Sequence, residues 1–483
     1  MVEISFAALL EELREQRFEI RTDSRRVERG DVFVALRGSM HDAAEFIPQA
    51  LEAGASVIVC GADGADLVRD SAARLLVHED RRAALWRMAQ ARYHTEILPF
   101  PVIGVTGTNG KTTTVFLLEH LLASRRKKCG ILGTVSYRWP GFHCLAPLTT
   151  PNSPELHGML DAMRRAGVET AVMEVSSHAV AQQRVGGVRF AGAVFTNLTR
   201  DHLDYHTDME SYYAAKAKLF LELPGTEKVC AVNSDDPYGL RLLQSLKTGV
   251  GFGLRGKQTG HAHVLGEILS SGREGLHVRM NFGGARWELL SPLIGAFNAM
   301  NLLGVQALCL GMGFSPEDFA CLETFKGLPG RLERVENPQG LNAFVDYAHT
   351  PDALANALRA LRAAGFARIV TVFGCGGKRD RMKRPLMGEA AARYSDVVVL
   401  TSDNPREEDP GAIIDDVLPG LKDARRLVRE PDRRKATQRA LEMLGPEDAL
   451  LVAGKGHENY QIIGEKRYPY SDQHVIREFL GCV

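Results

Sequence analysis

The sequence predicts an α/β chain of three domains: a small N-terminal α/β domain, a central parallel-sheet domain with an antiparallel flap, and a C-terminal Rossmann-like domain. Three observations predict it. The chain has 483 residues, and at roughly 150 residues per domain that length calls for about three cores. Over most of the sequence short apolar runs alternate with helix-like segments, the pattern of βαβ units and mainly parallel sheets. Between about 260 and 294 the pattern changes to apolar–polar alternation, which antiparallel strands with one wet face require. Apolar residues make up 45% and charged residues 24% of the chain, which excludes wholesale disorder. Lys plus Arg and Asp plus Glu both number 59, so the formal net charge is zero. No global basic field exists to hold a nucleic acid or an anionic membrane, and neither is expected as a partner. Any anionic ligand must be held by a local site.

The N-terminal domain is placed at 1–98. MVEISFAALLEELREQ reads as an amphipathic helix, with acids where a signal peptide carries a basic stretch. DVFVAL, ASVIVC and RLLVH supply short strands, and Pro99 and Pro101 disfavour a continuing helix, which sets the boundary. The central domain is placed at 99–329. It begins with the strand PVIGVTG, continues through TAVMEVSS, AGAVFTNL and KVCAVNSD, and carries HVLGEIL, LHVRMNF and ARWELLSP as the flap before a helix at 296–310. KGLPGR marks the second boundary, and 330–483 forms the third domain on LNAFVDYA, RIVTVFGC, DVVVLTSD and DALLVAGKG. No window approaches the roughly 20 apolar residues needed to cross a bilayer, so a cytoplasmic protein is expected. The eight cysteines are scattered without a CxxC pair, which predicts reduced core thiols rather than a disulfide framework or zinc ribbon.

The sharpest motif is GTNGKTTT at 107–114, between an apolar strand and a helix. Gly107 and Gly110 let the backbone amides of Thr108, Asn109 and their neighbours turn inward around an anion. The helix start adds its dipole, Lys111 can reach terminal phosphates, and the hydroxyls of Thr112 and Thr113 lie at the first helical turn. The spacing is a shortened variant of GxxxxGK[ST], because Val105 stands where the usual first glycine would be. Glu174 in MEVSSH and His202 in NLTRDHLDYH stand at strand ends, where ligand crevices form in parallel sheets. Both are candidates for metal ligation, and each alone could equally be a hydrogen-bonded structural residue.

GTNGKTT, EVSSH, NLTRDHLDYH, GAFNAMN, GRLERV, VDYAHTPDAL, DNPR and GKGHE, in that order, resemble the Mur ligases that build the peptidoglycan stem peptide. The resemblance runs from DSRRVERGDVFVAL to GKGHENYQ and implies an ATP-dependent amide ligase acting with Mg²⁺. It assigns Lys111 to the ATP phosphates, and Thr112, Glu174, His202 and Lys216 (as a carbamate) to Mg²⁺. Lys218 is a near neighbour with which Lys216 could be confused. Asn298, Asn301, Arg331 and Asp346 fall where the family contacts the nucleotide, Asp346 suiting ribose hydroxyls. His349 could be no more than a helix-cap neighbour. Thr149, Thr150, Ser176, Gln182 and Arg184 match contacts to the muramyl peptide and its phosphates. Thr22, Ser24 and Ser39 match the uridine site of the first domain. Ala43 stands where glycine is expected, a departure that leaves the local loop geometry open.

For the incoming amino acid, DNPR (Asp403, Asn404, Pro405, Arg406) resembles the version that selects meso-diaminopimelate, with Arg379, Gly454 and Glu458 completing the pocket. Diaminopimelate differs from lysine by a distal carboxylate, which an arginine fork pairs with while opposing a terminal ammonium. The implied reaction joins meso-diaminopimelate to UDP-N-acetylmuramoyl-L-alanyl-D-glutamate through an acyl phosphate, with the third domain closing over the second, in a monomer. Three readings compete: a lysine-adding relative, another superfamily ligase of the folylpolyglutamate type, and a nucleotide-gated regulatory ATPase that makes no amide bond.

Overall fold

The N-terminal strands are short because both of their faces are covered. Val32, Val34, Val57 and Val59 point into one cluster with Leu9, Leu13, Leu85 and Met88, whereas Phe33, Ile58 and Cys60 point into another with Ile47, Ala50 and Val68. Such period-two burial on both faces is the signature of a parallel sheet between helices. In the computed structural model the five strands run in the order Val2–Glu3, Arg74–Val77, Val57–Cys60, Val32–Val34, Ile20–Arg21, all parallel. The expected N-terminal helix is Phe6–Glu15. The residues before it instead pair as a short strand, Val2 and Glu3 opposite Arg74 and Leu75.

The structure describes residues 2–15, 18–38, 42–203, 205–223, 225, 228–256 and 260–482. They fall into two compact units, 1–106 with 125–193 and 214–229, and 107–124 with 194–213 and 230–483. The first unit also holds the parallel strands Val102–Thr106, Thr170–Glu174 and Cys129–Leu132, continued by the antiparallel Ser136–Trp139 and Phe142–Leu145. Helix Arg81–Tyr93 starts at Asp80, whose carboxylate accepts from the Arg82 and Ala83 amides, and stops at His94 with φ +51. Trp86 of this helix lies so close to the backbone at Gly186 that an added Cβ would sit 2.3 Å from its ring.

In the second unit, Val229–Asn233, Val250–Gly253 and Ala262–Gly272 are parallel neighbours. Gly275–Phe282 and Ala285–Ser291 follow as an antiparallel meander, the expected flap, with the last strand at the edge. Helix Ala296–Gly311 is buried nearly all round, as its continuous apolar sequence demands. The C-terminal sheet runs Glu333–Arg334, Asn342–Asp346, Ala449–Ala453, Ile369–Phe373, Val397–Leu400, Leu427–Arg429, and only the first pair is antiparallel. Its central strand comes last in the chain, so the ends carrying Asp346, Cys375, Asp403 and Gly454 gather where doubly wound sheets bind ligands. None of the eight cysteines is in a disulfide; Cys60, Cys230, Cys309 and Cys375 are buried core thiols and the other four are wholly or partly exposed. No helix among the described residues is long and apolar enough to cross a membrane.

His157 joins the first unit's segments through both ring nitrogens, Nδ1 lying 2.6 Å from the Thr95 hydroxyl and Nε2 3.0 Å from the Gly186 carbonyl. Nε2–H donates to the carbonyl and neutral Nδ1 accepts from the hydroxyl, and a second proton would place a charge in a site shielded from water. Burial pushes the imidazole down to about 4. An unfolded histidine takes up its proton near pH 6.5, whereas the folded one does not until about 4, so acidification through this window favours the unfolded chain by at most about 3 kcal/mol. The urea midpoint is expected to fall between pH 7 and 4.5, and His157→Gln, which keeps one donor and one acceptor, to fall less. An identical pH slope in the variant would remove His157 from the linkage.

Candidate active site

The phosphate loop forms because its glycines stand where no side chain fits. Gly107 has φ +149, and a Cβ there would lie 1.9 Å from Thr196 Oγ1; Gly110 has φ +84, and its Cβ would lie 2.4 Å from Asn301 Oδ1. The loop is stitched to the segment 196–199. Thr108 N–H donates to the Asn197 carbonyl (2.9 Å), Asn109 N–H to Asn197 Oδ1 (2.9 Å), and Thr196 Oγ1 to the Asn109 carbonyl (2.6 Å). Lys111 Nζ donates to the Gly107 and Thr108 carbonyls at 3.0 and 2.9 Å, folding the lysine over the loop. Helix Lys111–Ser124 leads away from it, presenting the amides of its first turn, with Thr112 and Thr113 buried.

A cleft of about 820 Å³ opens at this helix start, lined by Asn109, Gly110, Thr112, Thr113, Asn301, Arg331 and Asp346 together with Thr196, Asn197, Phe252 and Phe297. Asn301 is held by Asn298, its Nδ2 donating to Asn298 Oδ1 (3.1 Å). Arg331 NH2 donates to Thr112 Oγ1 (3.1 Å), and the guanidinium lies 4.9 Å from the Tyr347 ring centre. Its Nε is buried without a partner, a donor suited to an anion or carbonyl in the cleft. Asp346 already accepts from the Leu332 and Ala348 amides (2.5 and 2.7 Å), which ties the interdomain turn to the third sheet and leaves one lone pair on each oxygen. Burial pushes its carboxyl up to about 6 against the opposing pull of Arg331. His349 hydrogen-bonds the Tyr347 carbonyl through Nδ1 (2.9 Å), and burial pushes its ring below the ordinary range.

The first unit carries a second polar network. Glu174 is fully buried, and its two oxygens accept from the Thr134 amide (2.8 Å) and hydroxyl (3.0 Å). Gly133 must be glycine here, because a Cβ would meet Glu174 Oε1 at 2.6 Å. Thr149 lies 3.1 Å from the Thr134 hydroxyl, Thr150 Oγ1 donates to the Glu174 carbonyl (2.9 Å), and Ser176 N–H donates to Thr150 Oγ1 (3.1 Å). Arg184 grips Gln182 Oε1 with Nε and NH2 (2.9 and 2.6 Å) and reaches the Thr150 carbonyl at 3.2 Å. Thr149, Thr150, Glu174, Ser176, Gln182 and Arg184 thus share one network. Lys216 in helix Met209–Leu221 is buried, while Lys218 two residues on is nearly half exposed. His202, in the second unit, has φ +55 and a side chain 42% exposed, with Nε2 3.4 Å from Asp201 Oδ2.

In the third sheet Arg406 has φ +56 and donates from NH1 to the Gly377 carbonyl (2.8 Å). Burial and the adjacent Arg379 cation push it below its ordinary value. Asn404 Nδ2 donates to Glu458 Oε2 (3.0 Å), and Gln461 Nε2 holds the Asp403 carbonyl (2.6 Å). Gly454, φ +117, leaves room for Asp403 Oδ2 at 2.7 Å from its missing Cβ. Lys455, not singled out in the sequence, is fully buried among them: Nζ lies 2.9 Å from Asn404 Oδ1, 3.3 Å from Glu458 Oε2 and 3.5 Å from Asp403 Oδ1. Its signal was its place inside GKGHE. In the first domain Ser24 Oγ donates to Gln49 Oε1 (2.7 Å) and Thr22 is half-buried, whereas Ser39 lies outside the described residues. Ala43 opens a turn of 3-10 helix with negative φ, capped by Asp42, so no glycine is needed there.

A chain that can hold a phosphate chain at one sheet and a multiply charged small molecule at another has the parts of an ATP-driven amide ligase. The chain belongs to the Mur ligase family: the family's catalytic domain matches residues 19–93, its middle domain 105–309 and its glutamate ligase domain 330–456. It is 54% identical to the UDP-N-acetylmuramoyl-L-alanyl-D-glutamate–2,6-diaminopimelate ligase of Lawsonia intracellularis, over 98% of each chain. It is 43% identical to the protein of that name from Synechococcus elongatus, over 95% of this chain and 93% of the relative. A solved structure of an enzyme with that name superposes with a TM-score of 0.66 at 32% identity, covering 96% of this chain and 95% of that one.

Gly110→Ala is expected to weaken ATP binding by tenfold or more while the protein stays folded, since a left-handed alanine costs about 1–2 kcal/mol and the new methyl drives Asn301 into the cleft. Calorimetric titration with ATP and a thermal melt check it. Unchanged affinity would remove the loop from the nucleotide site.

Proposed function

We propose that the chain joins meso-diaminopimelate to UDP-N-acetylmuramoyl-L-alanyl-D-glutamate with cleavage of ATP to ADP and phosphate. The observation that carries this reading is that Arg379, Asp403 and Glu458 lie close enough to Arg406 to act on its charge, with Asn404 bonded to Glu458, on a chain 54% identical to a relative of that name. Two adjacent guanidinium groups suit the carboxylate that diaminopimelate has and lysine lacks, and the carboxylates suit its ammonium groups. The domains are taken as 1–98 for uridine, 99–329 for ATP and 330–483 for the amino acid. A monomer in the cytoplasm, with neither nucleic acid nor membrane as partner, fits small soluble substrates and zero net charge.

In the first step a γ-carboxylate oxygen of the D-glutamate forms a bond to the γ-phosphorus as the β–γ bridge breaks, releasing ADP and leaving an acyl phosphate. In the second the diaminopimelate amine bonds to the acyl carbon, phosphate leaves, and the amine loses a proton. Lys111 and the amides of the loop stabilise the charge on the transferring phosphoryl group. Arg331 holds the nucleotide through its buried Nε, and Asn301 and Asp346 line the rest of its cleft. In the first unit Glu174 and a carbamate on Lys216 offer hard oxygen donors, and in the second Thr112 offers an oxygen and His202 a nitrogen, donor types that suit Mg²⁺. When bound, Mg²⁺ neutralises phosphate charge. A carbamate on Lys216 would form when its neutral amine adds carbon dioxide and releases a proton, and the side chain is buried from bulk water. Thr149, Thr150, Ser176, Gln182 and Arg184 hold the muramyl peptide, and Thr22, Ser24 and Ser39 the uridine.

The reading is tested by phosphate release with the muramyl dipeptide and a panel of amino acids. Release that needs the dipeptide and diaminopimelate supports it, and release without either acceptor would favour a regulatory ATPase. Lys216→Ala is expected to be nearly inactive and partly rescued by short carboxylates, which replace the carbamate oxygens; full activity would remove Lys216 from the site. Arg406→Ala leaves the distal carboxylate with Arg379 alone of its two partners, at a cost of about 3–4 kcal/mol, near the lower end for a broken buried pair, so the preference for diaminopimelate over lysine is expected to shrink by two to three orders of magnitude in kcat/KM. Equal losses for both amino acids would show that Arg406 serves only its loop, through the bond to Gly377.

A further inference from the structure

The two guanidinium groups of the amino-acid pocket stand on neighbouring loops, Gly376–Arg379 and Asn404–Glu408, outside helices and regular strands. Like charges side by side push such loops apart, so their spacing must be set by something else. Part of it is backbone. Gly377 N–H donates to the Asn404 carbonyl (3.0 Å), and a Cβ on Gly377 would lie 1.9 Å from the Pro405 carbonyl oxygen, so only glycine permits the approach.

The rest converges on one buried side chain. Arg384, in the first turn of helix Lys383–Tyr394, is 1% exposed. Its NH2 donates to the Gly376 carbonyl (3.2 Å) and to both oxygens of Glu408 (3.1 and 3.0 Å), while NH1 donates to Asp416 Oδ2 (2.8 Å). Glu408 in turn accepts the Lys378 amide and a bond from Arg381 NH2 at 3.2 Å. One guanidinium therefore touches the loop that carries Arg379 directly, and the loop that carries Arg406 through Glu408.

We infer that Arg384 and Glu408 are positioning residues that clamp the two loops and so fix the separation of Arg379 and Arg406 at which one carboxylate is gripped by both. Neither touches the amino acid itself. The inference rests on the reading of this pocket as the diaminopimelate site. Loosening the clamp lets the two cations part, so the pocket must be drawn together each time the distal carboxylate binds. The cost falls on amino-acid binding and selectivity, while ATP and the muramyl dipeptide bind elsewhere.

The test compares Glu408→Gln, Arg384→Lys and Asp416→Asn in the full-length enzyme, with KM for each of the three substrates, kcat, and a thermal melt. Asp416 is the control, because it pairs with Arg384 but bonds neither loop. Glu408→Gln is expected to raise KM for diaminopimelate tenfold or more, with the other two KM values and kcat within about threefold, and to narrow the preference over lysine. Arg384→Lys, which keeps the charge and loses the fork, is expected to fall between Glu408→Gln and wild type. Asp416→Asn is expected to lower the melting temperature without moving KM for the amino acid. An unchanged KM in Glu408→Gln, equal KM shifts in Glu408→Gln and Asp416→Asn, or a joint rise in all three KM values would overturn the clamp. Wild-type enzyme that ligates a different amino acid would overturn the substrate reading alone, and the same comparison run on that amino acid would then decide the clamp.

Discussion

Backbone amides can cradle a phosphate chain only where the chain turns so tightly that no side chain stands in its way. In this protein that constraint sits at Gly107 and Gly110, whose missing Cβ positions are filled by Thr196 and Asn301 oxygens. Thr196 and Asn197 hold the loop from the strand side, and Asn301 approaches it from a helix that must be buried to bring it there. The apolar length of Ala296–Gly311 therefore serves the site as well as the core: it sets the distance at which Asn301 lies against Gly110. Asp346 extends the same logic to the third sheet. Its carboxylate accepts the Leu332 and Ala348 amides, so the turn that delivers Arg331 to Thr112 is fixed by a group that itself lines the cleft.

The pocket proposed for the amino acid is organised by a different principle, the balance of buried charge. Asp403 and Glu458 would repel each other, and Lys455 sits fully buried among them as their common counter-ion. A lone buried ammonium is costly, but this one has two carboxylates and an amide oxygen around it. Arg384 plays the corresponding part behind the two arginine loops, where Glu408 and Asp416 neutralise it. Both sides of this pocket are thus organised by a buried cation that the substrate does not need to touch.

Much of this was legible in the sequence where the information is local. A strand, a glycine turn and a helix start occur within a dozen residues in PVIGVTGTNGKTTT, so the phosphate loop could be placed on its elements, and the alternation from HVLGEIL to ARWELLSP marked the flap. Contacts between distant segments were not legible. Nothing near Gly110 announces Asn301, and nothing in DNPR announces Lys455, Arg384 or the Glu408 clamp, because those meetings are made by sheet order. The short strand Val2–Glu3 was hidden because two residues carry no periodicity, and its partner lies more than seventy residues away. At Ala43 the family resemblance implies glycine, yet the backbone there turns with negative φ and the Asp42 cap supplies the turn.

Charge counting gives the pocket a second basis for choosing its amino acid, independent of any single contact. Arg379, Arg406 and Lys455 against Asp403 and Glu458 leave one net positive charge. Free lysine carries the same net charge, so it meets repulsion from the pocket as a whole as well as from the arginines. Diaminopimelate, with two carboxylates and two ammonium groups, is neutral overall, and it can align its negative ends with the arginines and its positive ends with the carboxylates. In a partly buried site such a difference is weakly screened and persists at physiological salt. On the reading of this pocket as the amino-acid site, selection against a cationic substrate rests on the charge of the pocket as a whole, and the arginine fork converts that general preference into recognition of one carboxylate.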